Sequence, residues 1–269
     1  MSTTLSQPTA TTSDVGGTTY DPIPFSRLVS VELRKMFDTR SGFWLMASIA
    51  MTAVVASGAV IAFAADDAIT YDTFAAAIGF PMTVVLPMIA VLSVTSEWSQ
   101  RTGLTTFTFV PHRGRVIRAK LACTVAIGVV GIVVAAGIGA LGNLLGASIA
   151  GVDVVWDLSA LQLSMIALAT VINMLMGFTV GVLLRNSAAA IVAYFVYCYV
   201  LAGLTMLLAE SQQWFADAQP WVDLNYAQGA LFDAVPSAEQ WANLGVASLI
   251  WLVLPLAVGL RIVVRSEVK

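Results

Sequence analysis

A group of charged side chains lies between Ser96 and Lys120, in a polar stretch that separates two long apolar runs. Glu97, Arg101, Arg113 and Arg115 belong to it. Carboxylates and guanidinium groups form charge-assisted hydrogen bonds, which can hold a protein partner and select it among others. These residue types suit contact with a protein partner, and the alternative is that the basic residues only set the membrane topology and bind lipid.

Residues that catalyse reactions or hold metals are few and isolated. His112 is the only histidine, and Cys123 and Cys198 lie within apolar runs, where a thiol usually behaves as a small hydrophobe. Metal sites and histidine-based catalysis need companion residues, and the sequence contains no H-E-x-x-H or G-x-S-x-G motif. It also lacks the G-x-x-x-x-G-K-[ST] loop that cradles ATP phosphates. We therefore expect no enzymatic activity and no cofactor in this chain itself.

The composition indicates that most of the chain lies in lipid. Hydrophobic residues make up 58% of its 269 residues and charged residues 11%, against about 45–50% and about 25% in soluble domains. A bilayer accepts such a chain when helices of about 20 apolar residues satisfy the backbone polar groups. We predict an all-α polytopic membrane protein with six transmembrane helices. The six apolar segments are Phe43 to Ala65, Phe74 to Val94, Leu121 to Ile149, Leu161 to Leu184, Ala188 to Ala209 and Ala242 to Val264.

The positions of Lys and Arg test this topology independently, because cytoplasmic loops of membrane proteins are enriched in them. All 13 fall before span one, between spans two and three, at Arg185, or at and after the end of span six. The remaining loops contain Asp and Glu but no basic residue. The pattern predicts an even number of spans, with both termini in the cytoplasm and the acidic loops outside.

The chain divides into a short tail and one membrane domain. Residues 1–24 are rich in Ser and Thr and contain neither a basic start nor an apolar stretch. We expect them to be a disordered polar tail rather than a signal peptide. Residues 25–269 are expected to form the six-span domain.

An amphipathic helix is predicted just before span one, from Phe25 onward. Its apolar residues, Leu33 and Phe37 among them, recur at helical spacing, and Arg34 and Lys35 occupy other faces. Such a helix lies in the membrane interface. Two roles stay open: attachment to anionic lipid, and reception of a push from a cytoplasmic partner.

The acidic loop 210–241 is too long for a turn and is rich in aromatic residues of the types found at membrane–water boundaries. We expect short helices there that lie on the outer leaflet or dip into it, with Pro220 and Pro236 as breaks. Proline also interrupts span two, where Pro81 and Pro87 permit kinks that suit a moving gate.

The inner loop 96–120 and its surroundings resemble a known family. The run EWSQRTGLTTFTFVPHRGRVIRAK, from Glu97 to Lys120, is similar to the inner loop of type-2 ABC exporter permeases. In that family an acidic residue closes span two, and a turn with Arg, Gly and Thr follows it. A short helix, a proline and basic residues then lead to a Lys at span three. The amphipathic helix, the six spans and the half-embedded helices between spans five and six also match, so the resemblance covers nearly everything after residue 25.

The resemblance implies partners and site residues. A separate ABC ATPase subunit, which carries ATP and Mg, would dock onto the inner loop, and a second permease copy, identical or different, would complete the pathway. The residues that match the ATPase-coupling segment are Glu97, Arg101, Thr102, Gly103, Pro111, Arg113 and Arg115. The interfacial helix would contribute Leu33, Arg34, Lys35 and Phe37. Because spans two and five line the pathway in the family, the gate and pathway candidates here are Pro81, Pro87, Tyr194 and Tyr197.

These observations predict the permease subunit of an ATP-driven exporter in a bacterial plasma membrane. It would move a hydrophobic or amphipathic drug, lipid or peptide outward, with membrane lipid but no nucleic acid as a further partner. Two alternatives remain. A scaffold or sensor would use the same inner loop to recruit a partner without transport, and an ion-coupled carrier is disfavoured because the predicted spans contain no Asp, Glu or His.

Overall fold

The computed structural model describes residues 23–38, 40–99, 113–233 and 235–265. Within these ranges the chain is all-α, and its single β-type pairing is an isolated bridge between Thr70 and Val155. The predicted tail lies outside the described residues except for Ile23 and Pro24. The centre of the predicted coupling segment, 100–112, also lies outside them.

Six of the helices are long and apolar enough to cross a membrane, which confirms the predicted spans. Two of them, Ser187–Ser211 and Ala238–Val263, contain a π-helical segment in the middle. A short 3-10 turn, Asp66–Ala68, follows the first span. The helices are α1 (Phe25–Asp38), α2 (Arg40–Phe63), α3 (Tyr71–Ser99), α4 (Arg113–Ala150), α5 (Ala160–Leu184), α6 (Ser187–Phe195, π segment Val196–Leu201, Ala202–Ser211), α7 (Gln213–Val222), α8 (Leu224–Asp233) and α9 (Ala238–Ser248, π segment Leu249–Val253, Leu254–Arg265). The spans are α2, α3, α4, α5, α6 and α9.

The centre of the bundle is the contact between α3 and α5. These two helices pack on each other more extensively than any other pair in the described chain. At their closest approach, a Cβ on Gly177 of α5 would lie 2.7 Å from the carbonyl oxygen of Pro87 on α3. Glycine is therefore required at this point, because any side chain would push the two backbones apart.

Charged residues that flank the spans lie at two opposite ends of the bundle. At one end, Thr95 near the end of α3 hydrogen-bonds Ser187 at the start of α6 over 2.8 Å. The basic residues of the described chain lie at this end, which we call the basic end. At the opposite, acidic end, the backbone N–H of Asp72 donates to the Asp157 carboxylate over 2.8 Å, so the loops after α2 and α4 meet there.

Between α6 and α9 the chain dips back into the bundle. Helix α7 returns beside the second half of α6, the chain turns at Asp223, and α8 runs back along α5 and α9. Each of the two helices is about 15 Å long, which is half of a hydrocarbon core about 30 Å thick. The short outer helices are thus confirmed, and they enter the bundle.

One detail of that loop was predicted wrongly. Pro220 lies inside α7 rather than at a break. Proline removes one intrahelical hydrogen bond, but the helix continues past it because the N–H of Asp223 still donates to the carbonyl oxygen of Gln219 over 2.9 Å. Pro236 does lie between α8 and α9, as predicted.

Candidate functional site

Three helices meet at the basic end in a buried ion pair, which we call the basic-end junction. The Nζ atom of Lys120 on α4 lies 2.6 Å from Oε2 of Glu32 on α1. It also donates to the carbonyl oxygen of Ser93 on α3 over 3.1 Å. The hydroxyls of Ser93 and Thr124 are 3.2 Å apart, which adds a second bond between α3 and α4. One cluster of side chains therefore joins α1, α3 and α4.

The carboxylate of the junction comes from the apolar face of α1. Glu32 stands four residues after Leu28 and four before Met36, so it points in the same direction as these apolar neighbours. Burial raises the pKa of the Glu32 carboxyl, but the positive charges and hydrogen bonds of Lys120 and Lys35 outweigh that effect and hold the pKa below its usual value. Glu32 is therefore ionised at neutral pH, and its contacts with both lysines are charge-assisted.

Three of the predicted coupling residues, Glu97, Arg113 and Arg115, belong to helices that form this junction. Glu97 stands in the last turn of α3 and Arg113 is the first residue of α4, but their side chains lie outside the described part of the chain. Arg101, Thr102, Gly103 and Pro111 lie outside it altogether. Arg115 is described, and its guanidinium donates to the carbonyl oxygen of Ile23, just before α1. The coupling roles of these residues stay predictions.

The predicted residues of the interfacial helix divide by face. Lys35 donates to Glu32 over 2.8 Å, and Arg34 is exposed. Leu33 and Phe37 line an apolar groove of about 430 Å³ that α1, α2 and α4 enclose. A volume of this size is in the range of sites that hold small organic molecules. The groove lies in the half of the bundle that carries the basic end.

Two of the predicted gate residues act together in the middle of the bundle. Pro87 has no N–H, so the carbonyl oxygen of Thr83 one turn earlier has no partner within α3. The hydroxyl of Tyr194 on α6 donates to that oxygen over 3.0 Å. Tyr194 thereby satisfies the carbonyl that the proline frees and ties α3 to α6. Pro81 lies one and a half turns earlier in α3 and is half-buried.

The turn between α7 and α8 fits between the two π segments. The backbone oxygen of Tyr197 in α6 accepts from the Asn225 amide over 3.2 Å. From the other side, the indole N–H of Trp251 in α9 donates to the carbonyl oxygen of Val222 over 2.7 Å. The rings of Tyr197 and Trp251 are 5.3 Å apart. The turn is thus held at the level where both spans depart from α-helical geometry.

Asp223 forms the turn itself, and it lies deeper in the bundle than its position in an outer loop of the sequence suggested. The sequence pattern placed this residue in an outer loop, but its side chain is buried inside the bundle. Its carboxylate accepts from the Thr205 hydroxyl over 2.6 Å and from the Gln219 amide over 3.4 Å. It also accepts from the backbone N–H groups of Asn225 and Tyr226 and so caps the start of α8.

Sequence reasoning missed both buried carboxylates, although each had a signal. Glu32 interrupts an otherwise apolar helical face, which indicates a buried partner of opposite charge. Asp223 precedes Leu224 and Asn225 at the start of a helical segment, in the position of an N-cap. The sequence shows no signal for the depth of Asp223, because depth depends on how α7 and α8 pack.

A scan against protein-family models and a search of curated proteins found no match to this chain. In the described ranges, no group of three or more His, Cys, Asp or Glu side chains is placed to hold a metal ion. The fold and the site define a polytopic α-helical membrane protein with a buried ionic junction at one end and a polar re-entrant turn in its middle.

Proposed function

We propose that this chain is the permease subunit of an ATP-driven ABC exporter, with its basic end in the cytoplasm. The basic-end junction carries the proposal, because Glu32, Lys120 and Ser93 tie the amphipathic helix to α3 and α4. These two helices flank residues 100–112, the centre of the predicted coupling loop 96–120. A partner that pushes on this segment would therefore displace α1, α3 and α4 as one unit.

A displacement at the basic end has a route to the middle of the membrane. Helix α3 runs from the junction through Pro87, and Tyr194 ties the turn that precedes Pro87 to α6. Prolines supply the sites at which a span bends. In this proposal, ATP binding to the partner moves the basic end of α3, and the bond between Tyr194 and Thr83 passes that motion to α6.

The apolar groove supports a hydrophobic or amphipathic substrate. It lies between α1, α2 and α4, and its lining includes Met46, Ile49 and Val130 in addition to Leu33 and Phe37. A compound dissolved in the inner leaflet reaches such a groove without passing through water. Export of a compound of this kind needs no charged binding residue at the point of entry.

Purification and reconstitution test the proposal. The tagged chain, isolated from its native membrane, should bring with it a phosphate-loop ATPase identifiable by mass spectrometry, and the reconstituted complex should hydrolyse ATP faster with substrate. Glu97→Gln and Arg101→Ala should lower that hydrolysis. Arg261→Ala, which removes an exposed charge from α9 at the same end, is the matched control. The proposal is contradicted if no ATPase co-purifies with the chain and if ATP hydrolysis does not depend on Glu97 and Arg101.

The side of the membrane is tested separately. A cysteine introduced at Arg113 should react with an impermeant maleimide in inverted vesicles and not in intact cells. Reaction in intact cells would place the coupling segment on the outside and contradict the proposal. The scaffold alternative differs in another way, because it retains the ATPase but shows no stimulation by substrate.

One observation favours an ion-coupled carrier as the second candidate. Asp223 is a carboxylate inside the bundle, and such groups are frequent proton or cation sites in carriers. A carrier would accumulate substrate in vesicles under a proton gradient without ATP or an ATPase. Transport that requires both ATP and the partner excludes this candidate.

A further inference from the structure

Of the five buried side-chain atoms that lack a hydrogen-bond partner in the described residues, three lie on helices next to the re-entrant turn, and the other two belong to Ser57 and Asn143 elsewhere. Within the described part of the chain, the Tyr197 hydroxyl, the Gln228 side-chain oxygen and the Asn243 side-chain oxygen are buried and make no hydrogen bond. These three residues are only 5%, 6% and 7% exposed. Native proteins leave few such groups, and each calls for a physical explanation.

The neighbouring groups of the cluster are fixed in place. The Gln228 amide donates through Nε2 to Asn173 in the middle of α5 over 3.2 Å, which leaves its Oε1 as the unused acceptor. The Tyr197 ring lies against Trp251, whose own N–H is already bonded to Val222. The side chains of Gln228 and Tyr197, which carry unpartnered atoms, are thus held in position by their other contacts.

Asp223 adds a negative charge that no cation balances within the described residues. Its carboxylate has four hydrogen-bond donors, but the ion pairs found in these ranges both belong to Glu32. The basic residues of the described chain lie at the basic end of the bundle and not at the turn. The cluster therefore combines a net negative charge with unused acceptors.

The backbone around the cluster is also unusual. The π segments of α6 and α9 both contact the turn, through Tyr197 and Trp251. Segments of this kind are rare and occur frequently at functional sites. A tyrosine and a tryptophan next to each other also offer aromatic faces, which attract cations.

We propose that this cluster binds the protonated amine of an amphipathic ligand, at the level of the turn between α7 and α8. An ammonium group supplies positive charge and several N–H donors, which match the Asp223 charge and the free oxygens of Gln228 and Tyr197. Leu224, Leu231 and Leu244, which belong to the buried core cluster around the turn, would contact the apolar remainder of the ligand. Neutral and anionic compounds lack the charge that the cluster requires.

The inference names a substrate class and in that respect rests on the proposed export function. Binding, however, needs neither ATP nor the ATPase subunit. It can therefore be measured on the full chain alone, in nanodiscs of zwitterionic lipid. Intact binding with no ATP-driven transport would contradict the exporter, and intact transport without binding at this cluster would contradict the site.

Quinacrine, a fluorescent amphipathic amine that is protonated at pH 7.5, is the probe. Saturable binding is followed by fluorescence anisotropy, and acridine, which has the ring but no amine chain, is the neutral control. Asp223→Asn keeps the N-cap of α8 and removes the charge, so it should weaken quinacrine binding about tenfold or more. Tyr197→Phe removes only an unpartnered hydroxyl and should weaken binding about fivefold.

Matched variants test whether these effects are local. Asp233→Asn changes an exposed acid at the far end of α8, and Tyr199→Phe changes an exposed tyrosine in the same π segment, so both should bind quinacrine like the wild type. Acridine binding should not change in any variant. The inference is overturned if the wild type shows no saturable quinacrine binding, if Asp223→Asn and Tyr197→Phe bind normally, or if they lose acridine to the same degree. If Asp223→Asn fails to fold, Tyr197→Phe decides the matter.

Discussion

The two buried carboxylates of the described chain are stabilised in opposite ways. Glu32 lies at the basic end and is paired with Lys120 and Lys35. Asp223 lies at the re-entrant turn and accepts four hydrogen bonds, but it has no ion pair within the described residues. The charge of Glu32 is balanced by its lysines, so the pair can hold helices together. The charge of Asp223 is not balanced by a cation in the described residues, so this carboxylate can still attract one. Glu32 therefore connects helices, whereas Asp223 is the residue that we propose attracts a ligand.

Removal of the cation of the basic-end junction should destabilise the protein more than any other change proposed here. Lys120→Met leaves Glu32 buried without its main partner, and loss of one partner of a buried pair costs about 3–5 kcal/mol. Thermal unfolding of the purified chain in detergent should show this as the largest loss of stability among the variants considered.

The double variant Glu32→Leu with Lys120→Met provides the control. It replaces the pair with apolar groups of similar size and should recover most of the lost stability, because two such groups bury no uncompensated charge. If Lys120→Met melts like the wild type, Glu32 is not buried as described. If the double variant is no better than Lys120→Met, the loss comes from packing rather than from charge.

At the turn, removal of the Asp223 cap should cost less. Asp223→Ala loses the N-cap of α8 and the bond to Thr205, which together are worth about 2 kcal/mol. Asp223→Asn retains an acceptor for the N–H groups of Asn225 and Tyr226. It should therefore lower the free energy of unfolding by only a few tenths of a kcal/mol. Equal melting temperatures for the two variants would show that the cap contributes nothing.

The general plan of the molecule follows from the sequence because it depends on local and additive properties. Apolar length fixes the spans, the positions of Lys and Arg separate the two ends, and helical spacing identifies α1. The basic-end junction could not be predicted in the same way. Glu32 and Lys120 are 88 residues apart, and only the packing of α1 on α4 brings them together.

The same limit applies to the middle of the bundle. Pro87 and Tyr194 were both selected as candidates, but the bond from Tyr194 to Thr83 joins residues 111 positions apart. The aromatic residues of the loop 210–241 indicate helices near the membrane surface and give no measure of depth. Asp223 is polar in the sequence and buried in the structure because α8 packs against α5 and α9.

Two tyrosines one turn apart in α6 differ in their hydroxyl groups, because that of Tyr194 makes a hydrogen bond and that of Tyr197 makes none in the described part of the chain. Tyr194→Phe leaves the Thr83 carbonyl without a partner and should cost about 1 kcal/mol. Tyr197→Phe removes a hydroxyl that has no partner in the described part of the chain and should leave stability unchanged or raise it. Thermal unfolding of the two variants side by side is the measurement, and a lower melting temperature for Tyr197→Phe would show that its hydroxyl has a structural partner.

Stability should also depend on pH through the carboxyl of Glu32. Burial raises the pKa of this carboxyl, but its two lysines outweigh that effect and hold the pKa below its usual value. The folded state then binds the proton less readily than the unfolded state. The resulting stabilisation is complete above the pKa of an unfolded Glu, about 4.3, and is lost as pH falls through the folded pKa, by at most about 1.4 kcal/mol per pH unit. Melting temperatures of the wild type and Glu32→Gln should therefore differ by a constant amount from pH 8 to pH 5 and converge below pH 4. Parallel curves down to pH 3 would mean that the junction does not depend on the charge of Glu32, and the contrast with Asp223 would fail.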